Sequence, residues 1–222
     1  MKENPQLDAL EARVLGVLIE KELTTPEQYP LSLNALVVGC SQKSNRHPVM
    51  EVGESDALSA CERLRLMQLA GLVKEAGARV ERWRHNARET LDLLTPELAV
   101  LAELLMRGAQ QPGELRTRAS RMAPIESLEK LEEILAALEK RGYARRLPPP
   151  PGSRAVLIAP ALTEGPPQIA AAAAAGAAPH AAAGANAGAS PRPGLDARVA
   201  ALEAEVAALR AELAQLRESL GS

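Results

Sequence analysis

The sequence predicts a mainly α-helical protein with small β-hairpin wings, in which tandem winged-helix domains are followed by a disordered linker and a C-terminal coiled coil. Three observations support this fold class. A pattern of three helices and a hairpin occurs twice in the first 158 of the 222 residues. Ala, Pro and Gly make up 27 of the 36 residues from 159 to 194. Leucine and valine then recur at heptad spacing between residues 195 and 222.

The first predicted domain, residues 1–92, opens with an amphipathic helix over residues 7–22. Leucine, valine and isoleucine recur there at the spacing of one helical face. Asp8, Glu11 and Arg13 fall outside this apolar stripe, on the polar face of the predicted helix. The two prolines of the following stretch TTPEQYP end the helix.

Two further helices and a hairpin complete this domain. Ser32 is a suitable N-cap for the second helix, because its hydroxyl can accept a hydrogen bond from a free amide of the first turn. The third helix is predicted from Ser55, with Gly71 as its C-cap. The β-compatible runs 73–76 and 80–85 are separated by Gly-Ala-Arg and predict the hairpin that forms the wing.

The same order of elements repeats in the second predicted domain, residues 93–158. Proline at the start of a helix and glycine at its end mark the helix boundaries. The helices are predicted at residues 95–107, 112–119 and 127–142, and the strands at residues 143–147 and 154–158, on either side of a proline-rich turn. Tandem winged helices are therefore predicted from pattern rather than from sequence identity between the two domains.

Three stretches of sequence resemble a known family. They are EARVLGVLIEKELTTPEQYPLSLNALVVGCSQKSNRHPVM at residues 11–50, RVERWRHN at residues 79–86 and LLMRGAQQPGELRTRASRM at residues 104–122. On these residues the chain resembles the YceH-like proteins, a bacterial family without an established biochemical activity, over about residues 7–158. The resemblance implies a tandem winged-helix fold and supplies no catalytic or ligand-binding residue.

Residues 159–194 form the predicted disordered linker, because an Ala-, Pro- and Gly-rich stretch cannot bury enough apolar surface to fold. Residues 195–222 are predicted to form a two-stranded parallel coiled coil that makes the protein a homodimer. A single amphipathic helix that folds back on the winged helices is the alternative. The predicted dimerisation residues are Leu195, Val199, Leu202, Val206, Leu209, Leu213, Leu216 and Leu220.

Motifs for catalysis and for cofactor binding are missing from the sequence, which has no nucleophile elbow, phosphate-binding loop or dinucleotide fingerprint. His47, His85 and His180 lie far apart, and none has the spacing of a metal-ligand pair. We expect Cys40 and Cys61 to be buried, reduced packing residues. We therefore expect a non-enzymatic protein with no cofactor and no bound metal.

Composition and charge also limit location and partners. No charge-free run of 18 apolar residues and no hydrophobic signal core occur, so we expect a soluble, cytoplasmic protein without a membrane partner. One Trp, two Tyr and no Phe argue against a platform on which nucleic-acid bases stack. Residues 1–158 carry 22 Lys and Arg against 22 Asp and Glu, which excludes a polybasic protein.

A winged helix that reads DNA presents its third helix to the major groove and carries basic residues in its wing. Period-two alternation directs Arg82 and Arg84 to one face of the predicted wing and Trp83 to the other, where it anchors the wing. Arginines that solubilise the hairpin or pair with nearby glutamates are an equally good interpretation. The candidate nucleic-acid-binding residues are Lys43, Asn45, Arg46, Arg63, Arg82 and Arg84.

The third helix of the second domain is a poorer candidate for reading DNA. It is predicted to bury Leu128, Leu131, Leu135 and Leu138, which leaves mainly glutamates outward. Carboxylates in a phosphate-lined groove are strongly unfavourable. The preceding helix carries three arginines suited to gripping a DNA backbone without reading its sequence, Arg116, Arg118 and Arg121.

Three classes of function remain open at this point. The first is a dimeric DNA-binding regulator that resembles a transcription factor and contacts double-stranded DNA through its first domain. The second is a protein-interaction adaptor or scaffold built on winged helices, which the near-neutral charge of residues 1–158 favours. The third is an enzyme whose motif is not recognised.

Overall fold

The computed structural model describes residues 4–74, 81–149 and 155–165 of the chain. The chain divides into two compact units, Met1–Pro179 and His180–Ser222, and every described residue belongs to the first. The predicted coiled coil, with all eight predicted dimerisation residues from Leu195 to Leu220, lies outside the described residues. The same is true of the predicted linker beyond Gly165.

The first half of the described fold contains three helices and a three-stranded antiparallel sheet. Strand β3 lies between β1 and β2, so that Trp83 pairs with Leu31 on one side and with Leu72 on the other. In chain order the elements are α1 (Ala9–Thr24), a 3-10 turn (Pro26–Gln28), β1 (Leu31–Ser32), α2 (Leu33–Cys40), α3 (Glu54–Leu66), β2 (Ala70–Val73) and β3 (Arg82–His85).

The second half contains a short helix, three longer helices and a two-stranded ribbon. Gln110 forms an isolated antiparallel bridge with Ile158 of the ribbon, so that it lies in the position of a third strand. In chain order the elements are α4 (Ala87–Thr90), α5 (Thr95–Arg107), α6 (Pro112–Ala119), α7 (Leu128–Lys140), β4 (Ala144–Leu147) and β5 (Leu157–Pro160).

Most predicted helices are confirmed, and local capping explains where they begin. The Ser32 hydroxyl accepts the amide of Ala35 at the start of α2, as predicted, and Ser127 caps α7 by accepting the amide of Lys130. The prediction that Leu128 of α7 is buried is wrong: Leu128 is half-exposed, and Ile134 is buried instead. The reason is that Leu128 is the first residue of α7 and lies outside its buried stripe.

The end of α3 differs from the prediction. The helix stops at Leu66, and Gly71 is not a C-cap but a residue of β2. Gln68 adopts a left-handed conformation with φ of 62°, which turns the chain back on the helix. The amide of Leu69 then donates to the carbonyl oxygen of Leu64 at 2.8 Å. The first strand of the hairpin therefore begins earlier than the predicted run 73–76.

The two halves repeat one order of elements. In the first half it is α1, β1, α2, α3, β2 and β3, and in the second half it is α5, Gln110, α6, α7, β4 and β5. The sheet orders also correspond, because the last strand of each half lies in the middle. Gln68 and Gly142 both have positive φ after the third helix, and they are equivalent positions. Equal spacing from these positions aligns Leu58 with Glu132 and Leu72 with Arg146.

Helix α1 lies in the middle of a hydrophobic core that both halves share. It contacts α2, α3 and α5, and every residue from Glu11 to Glu20 is buried. The prediction of a polar face that holds Glu11 and Arg13 is therefore wrong. The Arg13 guanidinium donates to the carbonyl oxygens of Cys40, Pro48 and Met106 at 2.7 to 3.4 Å, which ties the ends of α2 and α5 to α1. Cations are favourable at helix C-termini.

Ordered structure continues beyond the predicted end of the second domain at residue 158. Leu162 is fully buried, and the Leu7 amide donates to its carbonyl oxygen at 2.7 Å. The Glu164 amide then donates to the Leu7 carbonyl oxygen at 2.9 Å. Residues 159–165 therefore belong to the fold rather than to the predicted linker, because they pair with the chain that leads into α1.

Candidate interaction surface

Arg46 was predicted to contact nucleic acid, and the structure contradicts this. Its side chain is fully buried and forms an ion pair with Glu20 on α1. Its guanidinium also donates to the carbonyl oxygen of Gly39 at 3.0 Å and to the side chain of Gln42 at 3.0 Å. Burial and four internal acceptors leave no donor of Arg46 for a phosphate.

Three other candidates are exposed in part but occupied by internal partners. Arg63 binds Asp8 at 2.8 Å and Glu11 at 2.5 Å, and these bonds raise its pKa. Asn45 accepts a 2.5 Å hydrogen bond from Arg107. Arg82 donates to the Pro30 carbonyl oxygen at 2.9 Å. These contacts fix the side chains to the protein and satisfy part of their hydrogen-bonding capacity.

Lys43 and Arg84 are the remaining two candidates. Both are exposed, and neither forms a hydrogen bond or an ion pair with any residue in the described ranges. The alternation predicted for the wing is confirmed, because Trp83 between the two arginines of β3 is only 3% exposed while Arg84 points to solvent. Of the six candidate nucleic-acid-binding residues, only these two are cations without an internal partner among the described residues.

The three arginines of the second half that were predicted to contact DNA also bind groups within the protein. Arg116 donates to the Ile125 carbonyl oxygen at 3.3 Å, and Arg118 donates to the Gln110 side chain at 2.6 Å. Arg121 forms ion pairs with the buried carboxylates of Glu20 and Glu103. Each of the three arginines proposed to grip a DNA backbone thus has a partner within the protein, and Arg121 links the chain after α6 to α1 and α5.

The exposed surface of α3 carries two arginines, Arg63 and Arg65, and both are paired with carboxylates. Its buried face consists of Ala57, Ala60, Cys61 and Leu64. The opposite face presents Ser55, Ser59, Glu62 and Leu66, and Glu54 and Asp56 lie in the first turn. Arg65 pairs with Glu62 on the helix surface at 2.8 Å. The first turn of α3 thus carries two carboxylates and no cation.

An apolar groove lies between α3 and the edge of the sheet. Leu58 on α3 is 43% exposed and Leu72 on β2 is 37% exposed. Trp83 lies at the base of the groove, which has a volume of about 400 Å³. Leu33, Glu62, Lys74 and Glu81 complete its lining. Leu58 and Leu72 therefore leave apolar surface exposed in this groove.

His85 is the only histidine of the described residues that lies in a charged cluster. Its Nε2 lies 2.8 Å from the carboxylate of Glu22, and its Nδ1 accepts the amide of Ala87 at 3.2 Å. Because Nδ1 is an acceptor, the proton lies on Nε2 and is donated to Glu22. Both ring nitrogens are therefore occupied, which leaves neither available as a general base or a metal ligand.

The His85 site predicts a pH dependence of stability. Burial lowers the pKa of His85 below its usual value of 6.5 and outweighs the opposing effect of Glu22. Below about pH 6.5 the unfolded chain therefore binds a proton that the folded chain does not, and stability falls with decreasing pH by at most about 1.4 kcal/mol per pH unit. Urea unfolding between about pH 5 and 7 measures this slope.

The variant His85→Gln removes the titrating group and should flatten that profile relative to the wild type. His47→Gln leaves the His85 site intact and serves as the matched control, with the wild-type slope retained. A His85→Gln profile that runs parallel to the wild-type profile would contradict the assignment.

The two cysteines are packing residues, as predicted. Cys40 and Cys61 are buried free thiols, and burial raises the pKa of each to about 12. At neutral pH they are protonated and inert. Within the described ranges no group of three His, Cys, Asp or Glu side chains is placed to hold a metal ion. None of the helices described is both long and apolar enough to cross a membrane.

The described residues thus define a mainly helical protein with two small antiparallel sheets and an apolar groove beside its third helix. Residues 7–153 match the family described as protein of unknown function, DUF480. The chain belongs to this family, which confirms the resemblance to an uncharacterised bacterial family found in the sequence.

Three relatives illustrate the similarity, and each carries the name UPF0502 protein. The relative from Geotalea daltonii is 53% identical over 167 residues, 74% of this chain and 76% of its own length. The relative from Pelobacter propionicus is 57% identical over 136 residues, 61% of this chain and 62% of its own length. A relative from Geotalea uraniireducens is 50% identical over 156 residues, 69% of this chain and 70% of its own length.

Proposed function

We propose that the protein is a non-enzymatic interaction module built from two winged-helix domains, whose partners are proteins. The order of helix, strand, helix, helix and two strands, with the last strand in the middle of the sheet, is that of a winged helix. It occurs in both halves, with Gln110 in place of β1 in the second. The first domain then covers residues 1–92, and the second extends from residue 93 to residue 165.

The outward face of α3 is the observation that favours protein over DNA. Ser55, Ser59 and Leu66 are weak base readers, and the acidic first turn repels phosphates. The two exposed arginines of the helix, Arg63 and Arg65, are both paired with carboxylates. A DNA groove would also leave the exposed Leu58 and Leu72 without an apolar partner. A protein surface satisfies both features, because apolar side chains can fill the groove and the acidic rim stays hydrated.

A DNA-binding regulator is the second candidate, and one observation favours it. Lys43 and Arg84 are exposed cations that have no ion-pair partner among the residues described. Lys74, Lys140 and Arg145 are likewise exposed without such a partner. A few exposed cations per subunit give only weak, sequence-independent attraction to phosphates.

A single pair of experiments separates the two functions. In a gel-retardation assay with mixed duplex DNA between about 50 and 200 mM salt, we expect no retarded complex for the wild type or for Lys43→Ala/Arg84→Ala. In affinity capture on the full chain, we expect a stoichiometric protein partner that remains after nuclease treatment. A complex with DNA that weakens with salt and with Lys43→Ala/Arg84→Ala would instead establish the regulator.

We also propose that residues 195–222 join two chains as a parallel coiled coil. The heptad of valine and leucine supports this pairing, as do three attractive charge pairs between chains, Arg198 with Glu203, Glu205 with Arg210, and Glu212 with Arg217. A dimer would present two copies of each winged-helix domain to a partner and so raise the effective affinity.

Light scattering tests the dimer. The wild type should have twice the 23.5 kDa mass of one chain, and Leu202→Lys/Leu209→Lys should have that mass once, because lysine at two d positions removes the apolar seam. Ala201→Lys/Ala208→Lys changes the same charge outside the a and d positions and should stay dimeric. A monomeric wild type would contradict the proposal.

A further inference from the structure

Strand β2 has a free edge with main-chain groups that face away from its only neighbour. The Asn86 amide donates to the Leu69 carbonyl oxygen at 2.8 Å, which places these two residues opposite each other at a hydrogen-bonding position of the ladder. In an antiparallel ladder such pairs alternate, so Gly71 and Val73 bond to β3. The amide and carbonyl groups of Ala70 and Leu72 then face away from β3. Because Ala70 is only 2% exposed, the accessible groups of this edge are those of Leu72.

The residues of this edge include no charged side chain and no proline. Natural edge strands are often shielded by such residues, whereas β2, with the sequence Ala-Gly-Leu-Val, is protected only by its length of four residues. Outward main-chain groups of this kind bind extended peptides that add a strand to the sheet. The groove between Leu58 and Leu72 opens along the same edge, so a strand added there would place alternate side chains against it.

The equivalent edge in the second half of the protein differs from the edge of β2 in its side chains. Strand β4 is equivalent to β2, and its sequence is Ala-Arg-Arg-Leu. Arg146 there binds Glu132 at 2.6 Å and Glu139 at 2.8 Å on α7. Arg146 and Glu132 occupy the positions of Leu72 and Leu58 in the first half. One fold therefore closes this site with an ion pair in one half and leaves it open and apolar in the other.

We infer that the free edge of β2 and the groove between Leu58 and Leu72 bind an extended segment of a partner protein, which adds to the sheet as a fourth strand. This inference rests on the proposed function as a protein-interaction module. The segment carries an apolar side chain that enters the groove above Trp83. An extended segment fits better than a helix because one wall of the groove is a strand edge with unpaired main-chain groups.

The charges around the edge define the rest of the segment. The groove is lined by Lys74 together with Glu62 and Glu81, so it has no excess of positive charge. Arg84 is exposed and has no ion-pair partner in the described part of the chain. Arg84 lies on the face of the sheet opposite the groove, across from Gly71, which has no side chain to cover it. Residues that alternate with the apolar anchor face this arginine, so an acidic residue beside the anchor is favoured. The expected ligand is thus an extended peptide with an apolar anchor and acidic neighbours.

The variant Leu58→Glu/Leu72→Arg tests the site by transplanting the ion pair of the second half. The full chain should remain folded, because Glu132 and Arg146 occupy the same positions in the same fold. The probe is a phage-displayed library of random short peptides, selected on the wild-type chain. Enriched peptides should alternate apolar and acidic residues and should bind Leu58→Glu/Leu72→Arg about tenfold more weakly or worse. Glu132→Ala/Arg146→Ala is the matched control and should bind like the wild type.

Amide hydrogen exchange on the wild type with an enriched peptide tests the geometry. Strand addition should protect the amide of Leu72, which faces the accessible edge, and leave those of Gly71 and Val73 unchanged. An apolar contact without strand addition would not protect the Leu72 amide selectively. Protection elsewhere, or equal binding by Leu58→Glu/Leu72→Arg, would overturn the inference.

The outcomes also distinguish this inference from the proposed function. If the protein partner from affinity capture binds the wild type and Leu58→Glu/Leu72→Arg equally, the interaction module stands and the site at β2 is wrong. If neither chain retains a protein partner, the proposed function fails, and with it the inference. A wild-type mass in light scattering above that of Leu58→Glu/Leu72→Arg would show that a second copy of the chain occupies the edge, and it would also overturn the inference.

Discussion

Replacing Glu20 by alanine is expected to lower the free energy of unfolding by about 3–5 kcal/mol. Glu20 is almost fully buried on α1 and forms ion pairs with Arg46 and Arg121. Burial alone would raise the pKa of Glu20, but the charges and hydrogen bonds of these two arginines outweigh it and lower the pKa. Alanine at this position leaves the buried guanidinium of Arg46 without a counter-charge, which is costly. Urea unfolding at neutral pH measures the effect.

The matched control for this prediction is Glu132→Ala. Glu132 also pairs with an arginine, Arg146, but both side chains are about half-exposed to solvent. Exposed pairs contribute about 0.2–1 kcal/mol, so the control should unfold almost like the wild type. Equal effects of the two substitutions would contradict the assignment of a buried charge network between α1, the chain after α2, and α6.

Replacing Gly16 by leucine is expected to destabilise the protein by about 3 kcal/mol, the upper end for an overpacked core. A Cβ atom at Gly16 would lie 2.7 Å from Cγ of Met106 and 3.2 Å from the main-chain oxygen of Ala102, both on α5. Glycine thus allows α1 and α5 to approach closely, and a larger side chain would separate the two halves. Circular dichroism during thermal unfolding measures the loss as a lower Tm.

Gly113→Ala provides the opposite case. Gly113 lies in the first turn of α6, and a Cβ atom there would meet nothing within 4 Å. Alanine should therefore stabilise the protein by about 0.4–1 kcal/mol, because it restricts the unfolded chain without a steric cost. If both glycine substitutions changed Tm in the same direction, the close contact of α1 with α5 would not be the cause.

The family and the helical elements were predictable from the sequence for local reasons. Apolar periodicity located α5, α6 and α7, and capping residues such as Ser32 fixed where helices begin. The end of α3 was not predictable in the same way. Glycine is the usual residue at a helix end, but Gln68 takes the left-handed conformation here because β2 must return along the helix.

The candidate site was predictable only in part, because residue type does not reveal which charges a fold buries. Lys43 and Arg84 are exposed as expected, whereas Arg46 lies beside Glu20 in the core. The exposed Leu58 was also missed, since its apolar side chain fits the pattern of a buried stripe. The predicted hairpins gave no signal for Leu72, because the predicted strand began one residue later, whereas the equivalent Arg146 lay inside its predicted strand.

The sequence by itself determined the helices, the repeated order of elements, the heptads of residues 195–222 and the membership of the family, because these depend on spacing between near neighbours. Only the tertiary structure decided which arginines are free, where α3 gives way to β2, and that the edge of β2 lies open beside an apolar groove. Such features depend on contacts between residues far apart in the chain. The burial of α1 between both halves is the clearest case, since it converts Arg13 from a surface residue into a buried link between helix ends.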